Sequence, residues 1–360
     1  MEQRRSGRQK CSKGGEKLIR ISQLKLPITH TKAQLEKKIA KTLKNPGNSF
    51  TYEIKKQSLD CRHKNDKIFV YTVDVTIRDE QKLAKKVNNN NIMLTEEKPY
   101  EFPSPGETPL LHSPVIVGSG PAGLFCGWYL AKAGYCPIIL ERGEEAEKRQ
   151  KTVENFWKNG VLDPESNVQF GEGGAGTFSD GKLNTLVKDP YGRNHEVLKR
   201  FVAAGAPEEI IYQQKPHLGT DVLVGIVEKM RHEIEEMGGK FCFRSKVTDL
   251  IFENNTLKEI EINNDKRIPA QVCVLAPGHS ARDTFEMLQK RGVYMEPKSF
   301  AVGLRIEHPQ EMINMDLYGE PENELLGAAS YKVTHKCANG RGVYSFCMCP
   351  GGYVVNASSE

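Results

Sequence analysis

The stretch SPVIVGSGPAGLFCGWYLAKAGYCPIILERG, residues 113–143, constrains the fold more than any other part of the chain. A short apolar strand, Val115 to Val117, runs into Gly118-Ser119-Gly120-Pro121-Ala122-Gly123; a helix is expected to about Ala133, then a second strand, Pro137 to Leu140, ending at Glu141. Each residue has a reason. Gly118 permits the tight turn, Gly120 lets a pyrophosphate approach backbone amides at a helix N-terminus, and Gly123 lets that helix pack close to the strand. Glu141, 23 residues after Gly118, is placed to accept hydrogen bonds from ribose hydroxyls and disfavours a 2′-phosphate. A lone glycine pattern is weak and an ordinary tight turn explains it. Strand, turn, helix, strand and acid in that order form the first half of a parallel α/β sheet that holds a dinucleotide.

A second glycine cluster, FGEGGAGTFSDGKL at residues 170–183, repeats the letters of the first, but ESNVQF before it is a poor buried strand and Asp180-Gly181 after it is a turn signal. A second nucleotide turn is therefore not expected. Gly171, Gly173, Gly174, Gly176 and Gly181 suit a backbone that wraps closely around a ligand; a surface loop is the other reading.

The remaining order extends the picture. Residues 1–17 read as a disordered basic tail, with Arg4, Arg5, Arg8, Lys10, Lys13 and Lys17 facing only Glu2 and Glu16; a nucleic-acid arm or a targeting segment is the alternative to a solvated end. From 18 to 84, LIRISQLKLPI alternates like a strand, Thr31 caps a helix over KAQLEKKIAKTLK, and FTYEIKKQSLDCR and KIFVYTVDVTI follow as strands, making a small α+β domain. Residues 85–112, polar and then proline-rich, read as a linker. The dinucleotide domain then spans 113–292: a helical region TDVLVGIVEKMRHEIEEMGG, a strand from Phe241 to Val247, a meander turning at Asn254-Asn255, and the apolar strand AQVCVLAPG, whose Ala276-Pro277-Gly278 end returns to the nucleotide. Residues 293–360 read as the start of a β-rich, substrate-facing domain.

Length of 360 residues, 38% hydrophobic and 27% charged residues describe an ordinary globular chain of two or more domains, and no apolar run reaches the roughly 20 residues of a membrane span. Nine cysteines without C-x-x-C or zinc spacing, and no secretory signal, read as reduced thiols of a cytoplasmic protein without a metal site. Cys347-Met348-Cys349 reads as packing, with a redox pair or a flavin-adjacent thiol as the alternative.

These motifs, with KPHLGTD, APGHSARDTFEML, FAVGLRIEHPQ and YSFCMCPGGYVV, resemble the glutathione-reductase-like class of FAD proteins, and within it a family of FAD-dependent dehydrogenases that carries a small N-terminal extension. The resemblance runs from Leu18 onward. It implies a Rossmann-like FAD-binding domain with an antiparallel insertion, behind a small α+β domain. FAD would lie on the 118–123 turn, with Glu141 and Arg142 at its adenosine end, Val247 offering its backbone to adenine, and Ala276 and Gly278 closing the nucleotide. Gly173, Gly174, Gly176 and Thr177 would lie against the ribityl chain or ring. Both glycine clusters would then serve one cofactor. Against that family the chain reads as C-terminally truncated, with an incomplete flavin site.

Flavin carries the redox chemistry, so a catalytic side chain need not stand out. His217 and His279 are candidates for proton transfer, since imidazole titrates near neutral pH, and a hydrogen-bonded structural histidine is the plainer reading of each. Lys182 is a candidate neighbour of the flavin or a solvated side chain; Arg282 and Arg305 suit an acidic substrate or a cofactor phosphate, or surface ion pairs. Three functions follow. They are a flavin oxidoreductase on a small-molecule substrate or acceptor, with NAD(P)H as candidate electron donor; an NAD-dependent dehydrogenase on the same turn; and a flavin-holding protein whose N-terminal domain docks RNA or a protein. For that domain the helix KAQLEKKIAKTLK reads as a solvated face without an RNA-binding strand motif, and no DNA partner or membrane is expected.

Overall fold

The computed structural model describes residues 17–44, 49–87, 89–97, 99–178, 181, 183, 189–214, 216, 218–345, 348–350 and 352–360. The N-terminal unit runs β1 (Lys17–Pro27), α1 (Lys32–Thr42), β2 (Thr51–Asp60), β3 (Ile68–Thr76), α2 (Glu80–Val87) and β4 (Ile92–Glu96). Its four-stranded antiparallel sheet has the order β2-β3-β1-β4, the split β-α-β topology of ferredoxin-like domains. Alternation on β1 breaks at Gln23, whose φ of 59° marks a bulge between Ile21 and Leu24. The extra residue returns Leu24 and Leu26 to the buried face already used by Ile19 and Ile21. Thr31 closes α1 with a full capping box, its hydroxyl accepting from Gln34 N while the Gln34 side chain accepts from Thr31 N.

The expected linker at 85–112 is corrected. Its first half is the end of α2 and the whole of β4, which pairs with β1 from Lys17↔Glu96 to Ile21↔Ile92. Pairing with β1 satisfies the main-chain groups of β4, and Leu83, Ala84 and Ile92 pack against the core. The unit therefore ends at Glu96 rather than at 84.

The second unit centres on a parallel sheet of order β11-β5-β6-β7, built from β5 (Val115–Val117), β6 (Ile138–Leu140), β7 (Lys240–Cys242) and β11 (Cys273–Leu275). Helices α3 (Pro121–Lys132) and α6 (Thr220–Glu236) cover one face, packing Leu124, Trp128, Ile226, Met230 and Ile234 onto Ile116 and Ile139. An antiparallel meander covers the other face: β8 (Val247–Glu253), β9 (Thr256–Ile262) and β10 (Lys266–Pro269), with Val247, Leu250, Ile260 and Leu288 against Val115, Val117 and Leu140. Burial on both faces explains why the central strands read as unbroken apolar runs. The two turns of the meander, Asn254-Asn255 and Asn263-Asn264, have positive φ throughout, the asparagine-rich geometry of tight hairpins. The single strand expected over 241–247 divides, because the chain turns at Arg244, φ 51°, from the parallel sheet into the meander. Between β6 and α6 lie α4 (Ala146–Asn159), a 3₁₀ turn at Gly174–Phe178, and α5 (Arg193–Ala203); α7 (Arg282–Lys290) follows β11.

The units meet through backbone. Gln57 N on the edge strand β2 donates to Tyr212 O at 2.8 Å, and Gln214 N donates back to Gln57 O at 3.0 Å. Residues 293–360, expected to be β-rich, contain among the described residues one helix, α8 (Gln310–Tyr318), and a short hairpin of β12 (Thr334–Lys336) and β13 (Gly342–Tyr344). They lean on the N-terminal unit through Lys67–Glu320 at 2.7 Å. No helix among the described residues is long and apolar enough to cross a membrane.

A candidate dinucleotide site

The cavity lies where β5 and β6 end and α3 begins, and has a volume of about 320 Å³, within the size range of small-molecule sites. Gly118, Gly120, Pro121, Ala122, Glu141, Arg142, Gly174, Gly176, Val247, Ala276, Gly278 and His279 all line it, joining residues from five separate stretches of sequence. Helix α3 has no side-chain cap and no acid in its first turn, so its positive end and its first amides open on the hollow. Gly118 holds φ 96°, and a side chain there would run into the Ala276 carbonyl, while one on Gly123 would run into the Gly118 carbonyl. At Gly120 a methyl group would meet only Gly174 Cα at 3.8 Å, an ordinary contact, so the protein itself leaves that space free.

Glu141, 4% exposed, ends β6. Its Oε2 accepts from Ser119 N at 2.9 Å and Ser119 Oγ at 2.7 Å, and its Oε1 from Gly143 N at 2.9 Å. A carboxylate has about four lone-pair positions, so one on Oε1 remains for a ribose hydroxyl. Arg142 lies over the Phe170 ring at 3.9 Å and belongs to a ring of charges with Glu165, Lys246 and Asp283 at the cavity rim, its own contacts being 2.8 Å to Glu165 and 3.0 Å to Asp283. Burial would raise the Asp283 carboxyl, but hydrogen bonds from Lys246 and Arg142 outweigh it and pull it down to about 2.

The second glycine cluster packs on the first. Gly173 N donates to Ser119 O at 3.0 Å, a side chain on Gly174 would crowd Gly120 Cα at 3.0 Å, and Gly143 leaves no room for one over Gly171. Four predicted residues stand behind the wall. Ser119 and Gly123 fix the turn, a side chain on Gly173 would strike Thr177, and Thr177 itself points its hydroxyl at Glu172 O, 3.4 Å away, within its own loop. Lys182 and His217, like Cys347, lie outside the described residues. His279 is exposed at the cavity wall, 3.3 Å from Ser280 Oγ. Arg282 and Arg305 do not line the cavity; they bind Glu360 and the Val355 carbonyl, both at 2.9 Å.

What holds the second loop escaped the sequence reading. Arg149 on α4, fully buried, donates Nε to Asn167 O at 2.9 Å, Nη2 to Val168 O at 3.0 Å, and Nη1 to Glu172 O at 2.6 Å and Gly174 O at 3.0 Å. Burial lowers its pKa to about 10, which leaves it charged at neutral pH. Buried Glu172 ties the same loop to α4 through Ala146 N and to α6 through Arg231, each at 2.8 Å, and burial raises its carboxyl. A signal existed for Arg149: with Ala146 and Val153 it occupies the i, i+3, i+7 stripe that a helix turns inward.

A Rossmann-like sheet with an anion-accepting helix start and an acid at the neighbouring strand tip defines a dinucleotide-binding protein. Residues 116–150 match the family of NAD(P)-binding Rossmann-like domains, residues 299–360 the family described as FAD-dependent protein, C-terminal domain-like, and residues 18–76 a domain of unknown function. The chain thus carries segments of the FAD-dependent class that its motifs resemble, and FAD is the cofactor these matches assign. An uncharacterized protein of Clostridium beijerinckii is 46% identical over 345 residues, 95% of this chain; the chain spans 64% of that relative's length. Among solved structures, THI4 of Thermovibrio ammonificans aligns with 51% of this chain and 63% of its own at 21% identity and a TM-score of 0.34. Thioredoxin reductase of Lactococcus lactis aligns with 46% of this chain and 35% of its own at 18% identity and a TM-score of 0.25. Overlaps that partial carry no argument about function.

Proposed function

We propose that this chain binds FAD with the pyrophosphate over the start of α3 and the adenosine ribose on Glu141, as the flavin-carrying part of an oxidoreductase. Its substrate or electron acceptor is a small molecule, and NAD(P)H is the candidate donor. The observation that carries the reading is the joint one: two glycine segments packed backbone to backbone over an uncapped helix start, with a nearly buried carboxylate keeping one free lone pair at the same cavity. Bound flavin supplies electron and hydride transfer. The chain's own residues bind and orient it. Amides of the first α3 turn face phosphate charge, Glu141 takes a ribose hydroxyl and repels a 2′-phosphate, and the loop pinned by Arg149 and Glu172 forms the far wall. His279 is the titratable group of that wall best exposed to a substrate.

The test is flavin content. The purified chain, reconstituted with FAD, is expected to hold it, to lose it in Gly120→Val, and to bind it about 10- to 150-fold more weakly in Glu141→Ala, the worth of charged hydrogen bonds of about 1.5–3 kcal/mol. Unchanged FAD content in both variants overturns the assignment. Binding of a nicotinamide nucleotide in place of flavin transfers the site to an NAD-dependent dehydrogenase.

A further inference from the structure

A second hollow, of about 1000 Å³, lies wholly within the N-terminal unit, between α1 and the start of β2. One side carries three lysines: Lys37 and Lys41, one turn apart on the same face of α1, and Lys44, just past the end of the helix where the backbone turns at φ 52°. The other side carries Phe50 and Tyr52, rings 6.3 Å apart and tilted by 49°. Ala33 and Ala40 add little bulk to the floor, and Glu36 is the only acid among the described lining residues. The dinucleotide cavity shares none of these residues. The backbone contact between the two units is made further along β2, at Gln57.

We propose that this groove binds single-stranded RNA, with phosphates along the three lysines and bases stacked on Phe50 and Tyr52. Helix and strand supply separately the two things a single strand requires, backbone charge and a flat apolar platform. The tilt of the rings suits successive bases better than a sandwich around one.

A fluorescein-labelled 12-mer of uridylate, titrated into the whole chain, is the probe. Three phosphate contacts predict a log–log salt slope of about −2, so affinity falls roughly 20-fold between 50 and 200 mM salt. Lys41→Gln/Lys44→Gln brings the slope to about −0.7 and the fall to about threefold. Tyr52→Leu weakens binding roughly tenfold, and Tyr52→Phe keeps it. Circular dichroism establishes that each variant is folded; should Tyr52→Leu not fold, the exposed lysine pair decides alone. No binding of the 12-mer, a slope unchanged by the lysine pair, or equal affinity of Tyr52→Leu and wild type overturns the proposal. So does competition by polyglutamate or inorganic polyphosphate as strong as by unlabelled RNA, because charge alone would then account for it.

Discussion

Replacing Arg149 with methionine removes the central tie of the second glycine loop while keeping an unbranched side chain of similar length. Four backbone carbonyls within 2.6–3.0 Å lose their donor. Each buried carbonyl left unpaired costs about 1–3 kcal/mol, a gross loss of about 4–12 kcal/mol. Against this stands the burial cost of the charge itself. Burial pushes the guanidinium down to about 10, a cost of about 3 kcal/mol that methionine recovers. The net expectation is a loss centred near 5 kcal/mol, large enough to free the loop and, with it, any flavin. Urea unfolding followed by tryptophan fluorescence measures it well, since both tryptophans, Trp128 and Trp157, lie in this unit, Trp157 with its ring 6.4 Å from Phe178 at the end of the loop's 3₁₀ turn. Arg149→Lys is expected to fall between, because one ammonium cannot reach four carbonyls that a planar fork spans. A loss below about 1 kcal/mol in Arg149→Met, with FAD retained, refutes the reasoning.

Three further outcomes separate folding from binding. Gly118→Ala forces a side chain at φ 96° against the Ala276 carbonyl and is expected to lower stability by about 2–4 kcal/mol, whereas Gly120→Ala leaves the melting temperature of the ligand-free chain nearly unchanged; equal melting temperatures for the two would contradict the assigned roles. The Asp283 carboxyl is lowered in the folded state, so its contribution is present above the ordinary carboxylate range and is lost as pH falls toward 2; Asp283→Asn is expected to cost about 1 kcal/mol at neutral pH after solvent screening, a deficit that closes between pH 4 and 2 in urea titrations. His195 on α5 is lowered by burial, faces Lys199, Lys55, Glu53 and Glu97, and has no partner for Nε2 among the described residues. Its neutral form fits the fold, so stability is full above its ordinary range and declines as pH drops below about 6; melting curves from pH 7.5 to 5 are expected to flatten in His195→Phe.

The nucleotide half of the site was legible because local rules fix it. Strand, glycine turn, helix and acid are contiguous, and hydrogen bonding within a few residues dictates each. Residues 85–96 read as linker because the end of α2 and β4 are held by packing and pairing with the rest of the sheet, which their own composition does not reveal. Arg149 was hidden in a helix rich in charge, since whether a guanidinium faces water or four carbonyls depends on a loop some twenty residues away.

By itself the sequence determined the strand, turn, helix and strand over 115–140, the capped helix at Thr31 and the hairpin at Asn254-Asn255, all consequences of short-range backbone preference and apolar period. Only the tertiary structure decided that the second glycine cluster closes on the first, that Thr177 and Ser119 support the wall instead of lining it, and that Phe50 and Tyr52 stand beside the lysines of α1. Those are distances between residues remote in the chain, and they are set by how apolar faces find cover, which no local pattern specifies.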